Sequence, residues 1–583
     1  MWPLGVGAGI SDYQFFLNFS TPDLPDISVR SDTMSSTRFT ASYCNDNGEI
    51  LIYSNGIWVL NSHGDFVENS FGLNPSVPEW QIYNYPGDQS GFFVAHPGNN
   101  NLVYLISLDY DLHPAQKWPY QFVGKNLMVA TIDLSANNGA GKVIEKNKIL
   151  LTGTLMTPAA CRHANGRDWW IFVSDADENR HYRILLSPSG FSTAQTQYIG
   201  TKPNPIPYNG GTKQNRIRGN AFSPSGKYYA DINDVLGFSI FRFDRCSGLL
   251  SEERRIDYLP SPLQANFFRN DAGMGAVFSP NDSFFYKTTT FNPASLAFSP
   301  NGTIPYLIQY DLSAPDLSIS PDTINIVDSL QYHFPTNITR DGYYGAELGP
   351  DGRIYIVHSG LGYCTVQYPN LRGRACQFIH DKPHFGVVIG SAIPYMPNYR
   401  LGPLDGSPCD TLGLNNLPVA EFRIDDSLGL LSRYFYDLSH HEPSNWHWTF
   451  GDGTSSNEQY PLHTYTEPGI YQVCLTVSNQ NGSDTKCRTL YLGVSGTVSL
   501  KAENENFQVF PNPSSGTFTI QTQNQVSDGL AVLSDINGKK LGQWPYNGNQ
   551  LVVTQPNLAP GVYIMELRGK AGSLGIVKLL INR

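Results

Sequence analysis

Ala221-Phe-Ser-Pro-Ser-Gly-Lys-Tyr-Tyr229 reads as two short strands around one tight turn. Proline presets φ, the serines hydrogen-bond the local backbone, and glycine takes the positive φ that closes the bend. The pattern returns as Tyr43-Cys-Asn-Asp-Asn-Gly-Glu-Ile-Leu-Ile-Tyr53, Val94-Ala-His-Pro-Gly-Asn-Asn-Asn-Leu-Val-Tyr104 and Cys161-Arg-His-Ala-Asn-Gly-Arg-Asp-Trp-Trp-Ile171. It returns again as Val277-Phe-Ser-Pro-Asn-Asp-Ser-Phe-Phe-Tyr286 and Glu347-Leu-Gly-Pro-Asp-Gly-Arg-Ile-Tyr-Ile356. Starts at 43, 94, 161, 221, 277 and 347 give intervals of 51, 67, 60, 56 and 70 residues. Recurrence of one hairpin at that period predicts repeated four-stranded units, the blades of a β-propeller, over residues 1–405.

Further hairpins fill out the units. Asn55-Gly56 joins Glu49–Tyr53 to Ile57–Leu60, and Asn-Gly between apolar runs is a strong hairpin signal. Phe238–Asp244 precedes the turn at Ser247-Gly248, and Tyr306–Asp311 reads as another inner strand. Phe15-Phe-Leu-Asn-Phe19 is expected to close the ring with strands from both ends of the module. Seven blades are therefore expected, with six and eight as the neighbouring counts. The Asp46–Gly56 and Arg162–Trp170 stretches, the Phe-Ser-Pro turns, Leu348–Tyr355 and Asn398–Asp410 resemble a family of secreted Bacteroidetes propellers, loosely related to YVTN and lactonase-type seven-bladed propellers. The resemblance implies a fold and a compartment but no reaction.

The 583 residues are too many for one core, and the composition fits an all-β chain. Aromatics make up 13%, with 54 Gly and 40 Pro to turn corners. Fifty acidic against 39 basic residues give a net charge of −11 with no basic run, which argues against a nucleic-acid partner. No apolar run is long enough for a transmembrane span. Met1-Trp-Pro-Leu-Gly5 lacks the basic start and apolar stretch of a signal peptide, so either the chain is cytoplasmic or the sequence begins after one, and the second is expected.

After a linker expected at 406–417, a second module is expected over 418–495. Trp448, Phe450, Gly451, Asp452 and Gly453 form Trp-x-Phe-Gly-Asp-Gly, followed by His463-Thr-Tyr465 and Pro468-Gly-Ile-Tyr471. Tyr471, Val473, Leu475 and Val477 alternate onto one face. The motif resembles the PKD domain, which implies an immunoglobulin-like sandwich acting as a spacer or binding module. Asp452 reads first as a turn-stabilising carboxylate and second as a metal ligand. His440-His441 reads as a solvated turn. Cys474 and Cys487 flank Asn479-Gln-Asn-Gly482. They face each other if all four residues make the loop, and lie diagonally if only Asn481-Gly482 turns. A disulfide in the first case requires an oxidising compartment.

A second linker, 496–505, precedes a third module at 506–583, read as a small sandwich. Its landmarks are Pro511, Asn512, Pro513 and Gly516, then Gly538, then Gly561 and Tyr563, then Lys578. Their order resembles the type A C-terminal sorting domain of the type IX secretion system. That implies handling by the type IX machinery through 506–583 and an extracellular or outer-membrane-surface destination.

No catalytic residue, metal ligand or cofactor is assigned. The cysteines show no CxxC and no Cys/His cluster at zinc spacing, and no Gly-x-Ser-x-Gly, HExxH or Walker motif is present. His96, His163, Asp168, Asp175, Asp177, Glu178, His358 and His380 are the polar residues to locate at a channel mouth. Asp175-Ala-Asp-Glu178 reads as an acidic turn rather than a cation loop, since it lacks the glycine and distal glutamate of an EF-hand. His163 and Asp168 read as a structural pair across Asn165-Gly166. The expected function is that of a monomeric, surface-exposed binding or adhesion protein for a glycan or surface polymer. The alternative is a metal-dependent hydrolase or lyase working in the propeller channel. A third reading is a scaffold for other surface proteins.

Overall fold

In a computed structural model the recurring turn closes in the same way in five of its six places. The N–H of its first residue returns to the carbonyl that opens the second strand: Asn45 to Glu49, His163 to Asp168, Ser223 to Tyr228, Ser279 to Phe284 and Gly349 to Arg353, at 2.7–2.9 Å. The residue that closes the bend is left-handed: Gly48, Gly166, Gly226 and Gly352 have φ between 73° and 80°. Asp282 holds that place in the fifth hairpin at φ 58°. Aspartate tolerates the left-handed region better than most side chains because its short carboxylate bonds locally.

The structure describes residues 2–4, 14–19, 25–30, 39–45, 47–75, 90–112, 122–202, 219–233, 237–257, 275–291, 304–326, 343–358, 362–380, 393–425, 431–492, 507–510, 512, 514, 516–535, 540–555, 558, 561–569 and 572–581. Each recurring hairpin supplies the first two strands of one antiparallel sheet. The third to seventh sheets open with Gly91–His96, Ala159–Arg162, Ala221–Phe222, Ala276–Phe278 and Tyr343–Leu348, and each then steps outward strand by strand. The second sheet has Ala41–Cys44, Ile50–Ser54 and Val59–Asn61, around the Asn55-Gly56 turn. The N-terminus corrects one expectation. Gln14–Asn18 does not complete a blade shared with the far end; it is the middle strand of its own sheet, between Trp2–Leu4 and Asp26–Arg30.

Seven sheets thus stand in a ring among the described residues, and the innermost strands lie side by side from the first sheet to the third and from the fourth to the seventh. Closure between last and first is a ring contact, Phe19 on Tyr355, with centroids 5.6 Å apart. The apolar core runs between the sheets through Phe92, Val103, Ile106, Val129, Trp169, Ile171 and Phe172, all at most 1% exposed.

The chain leaves the ring over the third and fourth sheets. Tyr399 donates its hydroxyl to the Phe93 carbonyl at 2.5 Å, and the Tyr395 hydroxyl accepts the Ala160 N–H at 3.3 Å. Glu347, buried on the innermost strand of the seventh sheet, accepts the Met396 N–H. Burial holds its carboxyl well above the usual carboxylate range, outweighing that hydrogen bond. The native chain therefore keeps a proton that the unfolded chain releases near 4.5. Stability should fall as pH rises from that value towards the folded pKa, by at most about 1.4 kcal/mol per pH unit. Glu347→Gln is expected to remove this slope. Urea midpoints measured between about pH 5 and about pH 8 check it, and an unchanged slope refutes it.

The stretch expected as a linker at 406–417 is pinned down. Cys409 is disulfide-bonded to Cys246, at the turn leaving the third strand of the fifth sheet. No local motif announces this pair, whose members lie 163 residues apart. Leu404 N–H reaches the Ala164 carbonyl at 2.8 Å, and Asn416 donates to the Pro403 carbonyl at 2.7 Å.

The sandwich that follows packs Phe422–Asp425, Ser432–Asp437 and Leu462–Thr464 against a sheet of Asn445–Thr449, Ser455–Ser456, Gly469–Asn479 and Gly482–Leu492. Trp448 is fully buried between Phe422 and Phe435 and donates its indole N–H to the Glu458 carbonyl at 2.9 Å. Phe450 is 2% exposed and stacks on His463, 4.1 Å between centroids. Asp452 accepts the Thr454 N–H and hydroxyl at 3.0 and 2.6 Å and pairs with His463 at 2.8 Å. Gly451, at φ 81°, lies so close to the Gln472 backbone that a Cβ would meet it at 2.7 Å. Asn479 pairs with Gly482, which places Cys474 opposite Cys487, and the two are joined by a disulfide.

In the last module the long strand Thr517–Asp535 pairs with Phe507–Phe510, Lys540–Thr554 and Gly561–Gly569, and Gly572–Ile581 completes the set. Bulges near Val526 let this sheet fold over Phe518, Ile520, Ala531, Leu533, Tyr546, Met565 and Leu567. Gly516 is left-handed at φ 109° and donates its N–H to the Ser514 hydroxyl. Tyr563 packs into the core, and Lys578 pairs with Ile564 through the backbone. Pro511, Pro513 and Gly538 lie outside the described residues. Among the described residues no helix is long and apolar enough to cross a membrane.

Candidate functional site

Asp175-Ala-Asp-Glu178 folds as it does because Asp175 caps its own turn. One carboxylate oxygen accepts the N–H groups of Asp177 and Glu178 at 2.9 and 3.1 Å, and the other meets Arg180 at 2.5 Å. The turn joins the second and third strands of the fourth sheet, at the end of the ring opposite the recurring hairpins. Beside it a small cleft opens towards the fifth sheet. Its polar lining includes Asp175, Glu178, His181, Asp231, Ser239 and Glu253.

His181 was not singled out from the sequence, yet it is one of the groups that join the two sheets. Its Nε2 lies 3.1 Å from Asp231, whose other oxygen accepts the Ser174 hydroxyl at 3.0 Å. The imidazole is 3% exposed against Phe172, Tyr229 and Phe241. Its Nδ1 has no hydrogen-bond partner among the described residues. Glu253 accepts from Ser239 at 2.7 Å and from Thr201 at 3.1 Å, and Glu178 pairs with Lys202 at 2.7 Å. The arrangement gathers carboxylate acceptors above a buried imidazole and buried aromatic rings.

The other sequence candidates do not join this cleft. His163 Nδ1 accepts the Asn165 N–H and Nε2 faces the Cys246 carbonyl, both at 3.0 Å, so the ring ties two turns together. Burial holds its pKa below the usual imidazole value. The Asp168 carboxylate accepts from Asn165 and Arg167, and His163 meets Asp168 through its backbone N–H to the Asp168 carbonyl at 2.8 Å. His96 stacks on Tyr104. In the sandwich, burial pushes His440 down to about 4, and His441 Nδ1 contacts the Leu417 carbonyl at 2.9 Å.

His358 and His380 do come together, with a third residue that the sequence did not flag. Cys364 completes the one group of three His, Cys, Asp or Glu ligands among the described residues that converge, with ligand atoms within 4.8 Å of one another. Burial raises the Cys364 thiol pKa, but the adjoining imidazoles outweigh it and bring the value down to about 6. All three residues belong to the seventh sheet or its edge, not to several blades as the channel-metal alternative requires.

The sandwich is locked to that same sheet at its other end. Arg353 reaches Asp351 at 2.8 Å, Asp425 at 2.6 Å and Gln367 at 2.7 Å. Arg423 pairs with Asp425 at 3.1 Å, donates to the Asp351 and Gln367 carbonyls, and lies over Tyr436 at 4.0 Å. All four charged side chains are at most 6% exposed.

Residues 415–494 match the PKD domain family, and residues 508–582 match the secretion system C-terminal sorting domain. A 42-residue stretch is 50% identical to Collagenase ColA of Bacillus cereus, spanning 7% of this chain and 4% of the collagenase. Among solved structures, a PKD domain of Epp from Vibrio anguillarum is 36% identical over 14% of this chain and 98% of its own, with a TM-score of 0.13. PorZ, a surface component of the type IX secretion system of Porphyromonas gingivalis, is 12% identical over 98% of this chain and 68% of its own, with a TM-score of 0.27. The chain is thus an N-terminal β-propeller followed by a PKD domain and a type IX C-terminal sorting domain, which directs it to the extracellular or outer-membrane surface.

Proposed function

We infer that this exported surface protein works by binding, and that it holds a hydroxyl-rich ligand, a glycan or surface polymer, in the cleft between the fourth and fifth sheets. The observation that carries the reading is the pairing of His181 with Asp231 beside a small cleft rimmed by Glu178, Ser239 and Glu253. Sugar hydroxyls donate to carboxylates such as those that rim the cleft. The PKD domain serves as a fixed spacer, because its buried ion pairs hold it against the propeller.

Glycan and polymer arrays probed with the full chain test this. Binding is expected, and Asp231→Asn together with Glu253→Gln should weaken it at least about tenfold, the effect of losing hydrogen bonds to charged groups. An array without a ligand, or affinity unchanged in the double variant, refutes the reading.

A further inference from the structure

We propose that His358, Cys364 and His380 bind a divalent transition ion of the zinc class on the outer strands of the seventh sheet. The register brings them together. Ile356 pairs with Cys364 and Thr365 with Ile379. One step beyond the second pair, Cys364 and His380 stand opposite each other. His358, two residues past Ile356, lies diagonal to Cys364 on the same face, within reach of long side chains. One ligand thus comes from each of the second and third strands, and one from just past the fourth.

The geometry is near what such an ion needs. Ligand atoms already lie within 4.8 Å of one another, and the two imidazole centroids are 4.6 Å apart at 48°. A tetrahedral ion with bonds of about 2.0–2.1 Å to nitrogen and about 2.3 Å to sulfur spaces its ligands by about 3.4–3.6 Å. Closing that gap takes about 1 Å of side-chain movement. His358 is 6% exposed and Cys364 fully buried, whereas His380 is half-buried and marks the open side. Calcium and magnesium want oxygen ligands, so one thiolate with two imidazoles selects zinc, cobalt or copper. Four other cysteines of this exported chain are paired in disulfides, and Cys364 is free. Three protein ligands leave a fourth position for water or an outside donor.

Cobalt titration of the full chain, stripped of metal and kept reduced, tests the site. One equivalent should produce a thiolate-to-cobalt charge-transfer band that zinc abolishes. Cys364→Ser should lose the band while keeping the circular dichroism of the native chain, and His380→Ala should weaken cobalt binding at least about tenfold. Zinc should also raise the thermal midpoint of the wild-type chain and not that of His358→Asn, which keeps the reading testable if the cysteine variant fails to fold. No band with the wild type, an unchanged band in Cys364→Ser, or equal zinc stabilisation in His358→Asn overturns the proposal.

Discussion

Removal of residues 508–582 is expected to reduce the protein on the cell surface and in the medium to background and leave it inside the outer membrane. The sorting module is a folded object rather than a bare tag: Phe518, Ile520, Leu533 and Met565 are at most 1% exposed in its core. Its surface can be read by secretion machinery only while that core holds. Leu533→Asp should therefore mimic the deletion, since an unpaired carboxylate buried in apolar surroundings costs several kcal/mol. Fractionation with an epitope placed in the propeller reads out both variants. Delivery at wild-type levels by the truncated chain would refute the assignment of export to this module.

The second large effect belongs to the junction between propeller and sandwich. Asp425→Ala removes the carboxylate shared by Arg353 and Arg423 and leaves two buried guanidinium groups with one acidic side chain, Asp351, between them. Breaking a buried pair in this way typically costs about 3–5 kcal/mol. The urea midpoint should fall accordingly, and the sandwich should become more accessible to protease at the junction. Simultaneous replacement of Asp351, Arg353, Arg423 and Asp425 by apolar residues of similar volume should recover much of the loss, because the charges no longer require desolvation. A midpoint for Asp425→Ala equal to that of the wild type would show that water, not the carboxylate, solvates the two arginines.

Local chemistry explains how much of this was readable. The turn at Ser223–Tyr228 and its counterparts announced themselves because proline, glycine and a small polar residue at fixed offsets determine backbone geometry within a few residues. The same holds for Trp448, Gly451 and Asp452, whose contacts close within one sandwich. Phe15–Phe19 reads as a strand, which the structure shows as Gln14–Asn18, but its expected neighbours were wrong, since pairing depends on register and not on composition. The cleft was half legible: the acidic turn at Asp175 stood out, but His181 and Asp231 are 50 residues apart and meet only through inter-sheet packing. His358, Cys364 and His380 share a face only once two strand registers are set. Their spacing matches no linear metal motif.

The Cys246–Cys409 bond changes what a cut does to this molecule. An exported protein meets proteases, and a single nick between those residues opens the ring of blades. The fragments nonetheless stay one molecule, clasped through sulfur, with the C-terminal piece held against the fifth blade. A propeller so clasped can be severed and still keep its shape and its hold on the sandwich. Separation then requires reductant as well as protease, a combination the outside of a cell seldom offers.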